Sequence, residues 1–255
     1  ADFVERFWAG VTPRTKVVYL SHITSATALI FPVAEICRRA RQAGLLSVID
    51  GAHAPGQIPL DLEAIGADIY VGNLHKWQMN PKGSAFLHVR RPVQPLLEPL
   101  VVSWGWESDQ PGPSRFQDEQ GWQGTRDISP FLSIAAALEF CRQHRWDEVR
   151  AHCRERLRRS RQLLQEHFGL EPTCPDSPEW FAQMTSFFLP AGSVTAVELN
   201  RRLRTRHQVE CWTATWNGRN LLRLSIQGYN DDHDVDRLAA ALAQELPSPP
   251  PGSRR

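Results

Sequence analysis

Short apolar runs alternate with amphipathic stretches through the first half of the chain. The runs at 17–20, 46–49, 69–71 and 85–89 each have the length and composition of a buried strand. Between the first two, Val33, Ile36, Cys37 and Ala40 recur at helical spacing after Pro32, and Gly44 supplies a stop. A shorter helix is predicted over 61–65, ending at Gly66. Strand and helix in alternation predict a parallel sheet covered by helices. Near residue 128 the pattern changes. Helices are predicted over 128–144 and 146–167, the second with a solvated arginine face at 154–161. Strands are predicted over 184–189, 209–213 and 221–226, with further helices over 194–205 and 231–246. A large α/β domain over 1–145 is therefore expected to be followed by a smaller α+β domain over 146–246. The proline-rich stretch 247–255 has no apolar periodicity and is expected to be a disordered tail.

Three consecutive strand ends carry polar residues: Ser21 and His22, then Asp50, then Asn73 to Lys76. In open parallel sheets ligands bind beyond the carboxyl ends of the strands, where loops are free of the hydrogen-bond ladder and converge polar groups. An acid at Asp50 and an amine at Lys76, delivered by neighbouring strands, could hold opposite ends of one planar ligand. The amine stands out because only three of the 29 Lys and Arg residues are lysines: Lys16, Lys76 and Lys82.

Composition narrows the partners. A formal charge of +1 over 255 residues gives no net-charge case for a nucleic-acid surface. No apolar run is long enough to span a membrane, and the first residues have neither the basic nor the apolar region of a secretory signal. The five cysteines include no CxxC pair, so neither a zinc knuckle nor a disulfide framework is expected, and a reducing cytoplasm is. No metal ligand set is predicted. Neither GxGxxG nor GxxxxGK[ST] occurs, which argues against a nucleotide-binding doubly wound protein.

Six segments, in order along most of the chain, resemble one family: SHITSATA at 21–28, DGAHAPG at 50–56, GNLHKW at 72–77, PKG at 81–83, QGTRD at 123–127, and LRLS at 222–225 with Tyr229 and Asn230. They are similar to the class V branch of the fold-type I pyridoxal phosphate (PLP) enzymes, above all to its isopenicillin N epimerase-like members. The resemblance implies a PLP-binding large domain with a mostly parallel sheet, truncated at its start, plus a smaller α+β C-terminal domain. It implies that Lys76 forms the internal aldimine and then moves the proton at the substrate α-carbon. Asp50 is implied to pair with the pyridine nitrogen and keep the ring cationic. His53 stands where cysteine desulfurases of this class carry Gln and is implied to donate to the cofactor's phenolate oxygen. His75 matches a phosphate-contacting residue. Thr125 resembles residues that reach the phosphate of the neighbouring subunit, which implies a homodimer with shared active sites. Arg223 matches the clamp for the substrate α-carboxylate, where a planar guanidinium gives bidentate recognition. Arg126 is a candidate for a second anionic group on the substrate, and Ser25 stands where desulfurases carry an Asn. His22, Trp77 and Trp106 are assigned to packing.

The implied reaction is at the α-carbon of an amino acid or amino-acid-like substrate: epimerase, lyase or transaminase. A cysteine desulfurase is the alternative, with Cys211 twelve residues before Arg223, although Cys211 is expected in a strand and without a neighbouring His to activate it. A catalytically incompetent fragment is the other alternative. Residue 1 is Ala, and the chain reads as beginning inside the large domain, without the turn that cradles the cofactor phosphate and the ring that stacks on the pyridine. The 255-residue chain alone is therefore expected to bind PLP weakly or not at all.

Overall fold

The computed structural model describes residues 2–247, so the expected tail lies, but for Pro247, outside the described residues. The described residues divide into two compact units, one over 2–22 and 32–137 and the other over 23–31 and 138–247.

The first unit opens on α1 (Asp2–Trp8) and contains β1 (Val17–Ser21), α2 (Val33–Gln42), β2 (Leu46–Asp50), α3 (Leu62–Ile65), β3 (Ile69–Asn73) and β4 (Ala85–Val89). The strands form one sheet in the order β1-β2-β3-β4. β1, β2 and β3 are parallel, in a register that sets Ser21 beside Asp50 and Asp50 beside Val71. β4 returns antiparallel, with Ala85 opposite Asn73. Three parallel strands thus end on one side, at Ser21, Asp50 and Asn73, as the sequence pattern requires.

α2 packs its buried Val33, Ile36, Cys37 and Ala40 toward this sheet, against β2. Pleating sends alternate residues to opposite faces. Val18, Leu20, Ile49 and Tyr70 are buried, whereas Val17 is 47% and Tyr19 63% exposed. The reading of 17–20 as a buried strand holds for one face only: within the described residues the second face is uncovered at these positions. Ser47 breaks the apolar pattern on the buried side because its amide and hydroxyl both donate to the Asp68 carboxylate, at 2.9 Å each. Burial alone raises the Asp68 pKa, but the two Ser47 bonds and the Arg90 guanidinium at 2.6 Å together hold it below the usual range.

Beyond β4 the chain forms a single 3-10 turn (Gln94–Leu96), α4 (Arg115–Gly121), α5 (Ser129–Leu132) and α6 (Ile134–Gln143), inside which the two units divide. α4 has no apolar periodicity in the sequence and is anchored by its Ser114 cap on the Gln117 amide. The single helix expected over 128–144 is two. Pro130 lies in the first turn of α5, and the Ser133 hydroxyl donates back to the Pro130 carbonyl at 3.0 Å, where the helix is interrupted.

The second unit holds α7 (Trp146–Phe168), β5 (Glu171–Pro172), β6 (Met184–Phe188), α8 (Ala196–His207), β7 (Trp212–Trp216), β8 (Arg219–Ser225) and α9 (Asp232–Glu245). Its sheet is antiparallel throughout, ordered β5-β6-β8-β7. Leu157, Leu164, Phe187, Leu199, Leu222 and Leu242 meet in its core. Segment Ile23–Phe31 belongs to this unit because Ser186 Oγ donates to the Ala26 carbonyl at 2.8 Å and Ile30 N to the Trp180 carbonyl at 2.9 Å.

Two expectations fail here for identifiable reasons. The strand read at 209–213 is shifted to Trp212–Trp216, because Asn217 and Gly218, both at positive φ, make the two-residue hairpin turn from which β7 and β8 must run directly. The arginine face 154–161 is not wholly solvated. Arg161 is 2% exposed, donates to Thr185 Oγ1 at 3.0 Å and to the Cys174 carbonyl, and lies over the Phe181 ring with Arg154. A guanidinium with backbone and hydroxyl acceptors beneath an aromatic face is tolerated inside, which helical periodicity alone does not reveal.

His22 is buried in the first unit, with Nδ1 2.9 Å from the Tyr70 hydroxyl. Burial pushes its imidazole down to about 4. Between the ordinary histidine value of about 6.5 and that level, the unfolded chain binds more protons than the folded one, so stability falls as pH falls. The His22 contribution is fully present above the unfolded value and is lost, by on the order of 3 kcal/mol, as pH drops through the folded one. Urea midpoints at neutral pH and near pH 4 are expected to differ less in His22→Gln than in the wild type. Equal slopes would remove His22 as the source.

Candidate active site

β2 delivers Asp50 to its carboxyl end, where the side chain turns back on its own loop. Oδ1 accepts the Ala52 amide at 2.9 Å, and Oδ2 accepts the Ser21 hydroxyl at 3.3 Å from the neighbouring strand. These bonds fix the carboxylate while leaving acceptor capacity on both oxygens. Gly51 follows because the next layer is the Tyr70 ring: a Cβ at Gly51 would lie 2.1 Å from it. Burial first, and then the Asp50 charge, raises the Tyr70 phenol, which keeps its proton and lies 2.9 Å from His22 Nδ1.

The loop then passes His53 and returns at Gly56, whose φ is +80°. A Cβ there would stand 2.4 Å from the Trp77 carbonyl carbon and oxygen, so the loop rests directly on the backbone that follows β3. That backbone is itself a tight turn, closed by Met79 N to the Lys76 carbonyl at 3.2 Å and Asn80 N to the Leu74 carbonyl at 3.0 Å. Through this approach Lys76 Nζ comes to 3.3 Å from His53 Nε2, and the Trp77 indole N–H donates to His53 Nδ1 at 3.2 Å. Gln57 Nε2 anchors the loop from below by donating to the His53 carbonyl at 2.8 Å. Lys76 is exposed and His53 half-buried, whereas Trp77 is 9% exposed. His75 Nδ1 lies 3.1 Å from the Ser84 carbonyl, an acceptor only, so that nitrogen carries the hydrogen and Nε2 is left for another partner.

In the second unit β8 carries Arg223, whose Nη1 donates to the Ser25 carbonyl at 2.7 Å and to Ser25 Oγ at 3.2 Å. Its guanidinium lies 4.8 Å from the Trp212 ring centroid, and burial lowers its pKa. Arg223 lines a cleft of about 500 Å³ with Trp212, Asn230 and Arg237. Cys211 precedes β7 rather than lying within it, is 6% exposed, and donates its S–H to the Arg223 carbonyl at 3.2 Å. Burial pushes its thiol up to about 12.

The residues singled out in the sequence thus fall into three groups. Asp50, His53, His75 and Lys76 occupy the ends of adjacent parallel strands, and Ser25 and Arg223 are joined in the other unit. Thr125 and Arg126 are exposed, with Arg126 donating to Gln123 at 3.1 Å and lying 5.0 Å from the Phe131 ring centroid. Sequence reasoning missed Ser21 and Tyr70 as supports and assigned Trp77 to packing alone. Position next to Lys76 was the available signal for Trp77.

A mostly parallel sheet with a carboxylate, an imidazole and an amine at its strand ends defines an α/β protein that gathers polar side chains at one end of its strands. The chain belongs to the aminotransferase class-V family, whose profile matches residues 3–238. It is 38% identical to isopenicillin N epimerase of Streptomyces clavuligerus over 244 residues, 92% of this chain and 61% of that protein. It is 34% identical to a putative L-cysteine desulfhydrase 1 of Oryza sativa subsp. japonica, over 90% of this chain and 51% of the relative. The chain therefore spans between about half and three fifths of the length of these relatives. Among solved structures, the cystine C-S lyase C-DES in complex with its reaction product cysteine persulfide superposes with a TM-score of 0.80 at 22% identity, over 97% of this chain and 66% of the lyase. A variant of that lyase carries glycine covalently linked to its PLP cofactor. The fold is that of the fold-type I PLP-dependent enzymes.

Because Gly56 combines positive φ with a backbone 2.4 Å from its missing Cβ, Gly56→Ala is expected to destabilise the chain by about 1–3 kcal/mol. Gly44→Ala, at φ +68° but with open space around it, serves as the control for conformation alone. The denaturation midpoint should fall further for Gly56→Ala; equal losses would show that the close approach to Trp77 carries no energy.

Proposed function

We propose that Lys76 is the residue through which PLP is held and that the chemistry it serves is at the α-carbon of an amino acid or amino-acid-like substrate. The observation that carries the reading is the meeting of Lys76 Nζ with His53 Nε2 at 3.3 Å, on strand ends adjacent to Asp50. The donor set fits the cofactor. Asp50 retains acceptor capacity for a protonated ring nitrogen, His53 offers an N–H, and Lys76 is an amine able to bind an aldehyde. When bound, PLP supplies an electron-withdrawing ring that stabilises negative charge at the substrate α-carbon.

The chain's own groups do the rest. Asp50, held by Ala52 and Ser21, keeps a proton on the ring nitrogen. His53 donates from Nε2 toward the phenolate oxygen. His75 and Thr125 contact the phosphate, Thr125 that of a neighbouring subunit, which makes the assembly a homodimer with shared sites. Lys76 Nζ takes the proton from the α-carbon and returns it. Arg223, steadied by Ser25 and Trp212, grips the α-carboxylate, and Arg126 receives a second anionic group. Return of the proton by Lys76 restores the starting configuration, whereas delivery of a proton to the opposite face by a second acid is epimerisation, the reading supported by the 38% identity to an isopenicillin N epimerase. Loss of a β-substituent instead is a lyase reaction, and the desulfhydrase relative and the lyase structure support that second reading. A desulfurase needs a nucleophilic thiolate, and Cys211, buried with its thiol at about 12, does not offer one at neutral pH. No described helix is long and apolar enough to cross a membrane, and the five free thiols suit a cytoplasmic setting.

With excess PLP, borohydride reduction and peptide mass mapping should place the phosphopyridoxyl group on Lys76 in preference to Lys16 and Lys82. Equal labelling of the three lysines overturns the assignment. In the PLP-loaded protein, Arg223→Ala should weaken amino-acid binding by about 10- to 100-fold, the effect of losing a charge-assisted hydrogen-bonded pair. Wild-type affinity would remove Arg223 from the substrate site. In deuterium oxide, α-hydrogen exchange without release of a β-substituent identifies epimerisation, whereas sulfide release from cysteine identifies the lyase.

A further inference from the structure

Two adjacent residues, Lys76 and Trp77, bracket a single imidazole delivered from another strand end. The Trp77 indole reaches Nδ1 of His53 at 3.2 Å and the Lys76 amine reaches Nε2 at 3.3 Å. An indole N–H can only donate, so Nδ1 must present its lone pair. An imidazole whose Nδ1 accepts is neutral and carries its one hydrogen on Nε2; a cationic ring would turn an N–H against the indole N–H. The hydrogen on Nε2 then points at Lys76 Nζ. An ammonium has donors and no acceptor, so an amine that receives this hydrogen does so through a free lone pair.

We propose that Trp77 is a positioning residue that fixes His53 in the Nε2–H tautomer, so that before a cofactor takes up that hydrogen His53 donates it to Lys76 and favours the unprotonated, nucleophilic form of the amine. The three side chains form a one-way donor relay, Trp77 to His53 to Lys76. Its geometry is built rather than incidental. Trp77 is buried, the His53 carbonyl is tied by Gln57, and Gly56 permits the two loops to touch. Without the indole N–H, His53 is free to carry its hydrogen on Nδ1. Nε2 then becomes an acceptor and favours a protonated Lys76. The significance for catalysis rests on the assignment of Lys76 as the cofactor lysine, but the tautomer itself does not.

The test uses the full 255-residue chain labelled with 15N at histidine, with the His53 signals identified by their loss in His53→Gln. Long-range proton–nitrogen correlation spectra without PLP are expected to show His53 with Nε2 protonated and Nδ1 bare. In Trp77→Phe, and in a chain with benzothienylalanine at position 77, where sulfur replaces only the indole N–H, the tautomers should mix. A protonated Nδ1 in the wild type, or an unchanged tautomer in the benzothienylalanine chain, overturns the proposal. The second substitution keeps ring size and packing, so the test survives if Trp77→Phe fails to fold. The rate of PLP labelling at Lys76, measured against Lys16 in the same molecule, should drop about three- to tenfold in both variants, the span of one net hydrogen bond. An unchanged rate ratio with a changed tautomer overturns the coupling to Lys76. Absence of Lys76 labelling in the wild type would instead strike at the cofactor-lysine assignment, with the tautomer still decided by the spectra.

Discussion

Backbone lies against backbone where Gly56 meets Trp77, and the candidate site depends on that contact. The space for a Cβ is taken by the Trp77 carbonyl at 2.4 Å. This approach makes one surface of the loop after β2 and the turn after β3, which the sheet would otherwise leave as separate strand ends. His53 from one side and the adjacent Lys76 and Trp77 from the other, more than twenty residues apart in sequence, thereby share hydrogen bonds. Gly51 has the parallel role one layer deeper, admitting the Tyr70 ring beside Asp50. Small residues therefore flank the chemistry because larger ones would hold the polar groups apart.

The polar groups around Asp50 and Lys76 differ from those in the hydrophobic layers. Asp68 is buried and saturated by Ser47 and Arg90, which tie β2, β3 and the end of β4 together. Asp50, at the carboxyl end of the central strand β2 and bonded to the Ala52 amide of its own loop, keeps lone pairs in reserve. Buried polar groups with complete partners stabilise a fold, while those with spare capacity at a strand end are placed to receive a ligand. In the second unit Arg223 combines both conditions. Its Nη1 is held by Ser25 and its face by Trp212, yet it lines an open cleft.

Much of the architecture was legible from local pattern. Alternation of apolar runs and amphipathic stretches located β1 to β4 and α2, and the scarcity of lysine directed attention to Lys76. The resemblance carried by DGAHAPG and GNLHKW pointed to the same strand ends that the sheet register brings side by side. Local pattern failed where a partner distant in sequence decides the outcome. Arg161 sits in a run that reads as a solvated helical face, and only Thr185, Cys174 and Phe181 make its burial tolerable. The start of β7 was misplaced because its apolar residues extend beyond the strand, whereas the Asn217–Gly218 turn sets the register.

The sequence by itself determined which residue types stand at the ends of the parallel strands, because periodicity and turn residues are local properties of the chain. Tertiary structure alone decided that Ser25 would hold Arg223 across a separation of 198 residues, and that Trp77 would face His53 rather than merely pack. Both depend on register and on close backbone approach. A hydrogen bond is fixed by tenths of an ångström and by the direction of a donor, and no pattern along a single chain encodes those quantities.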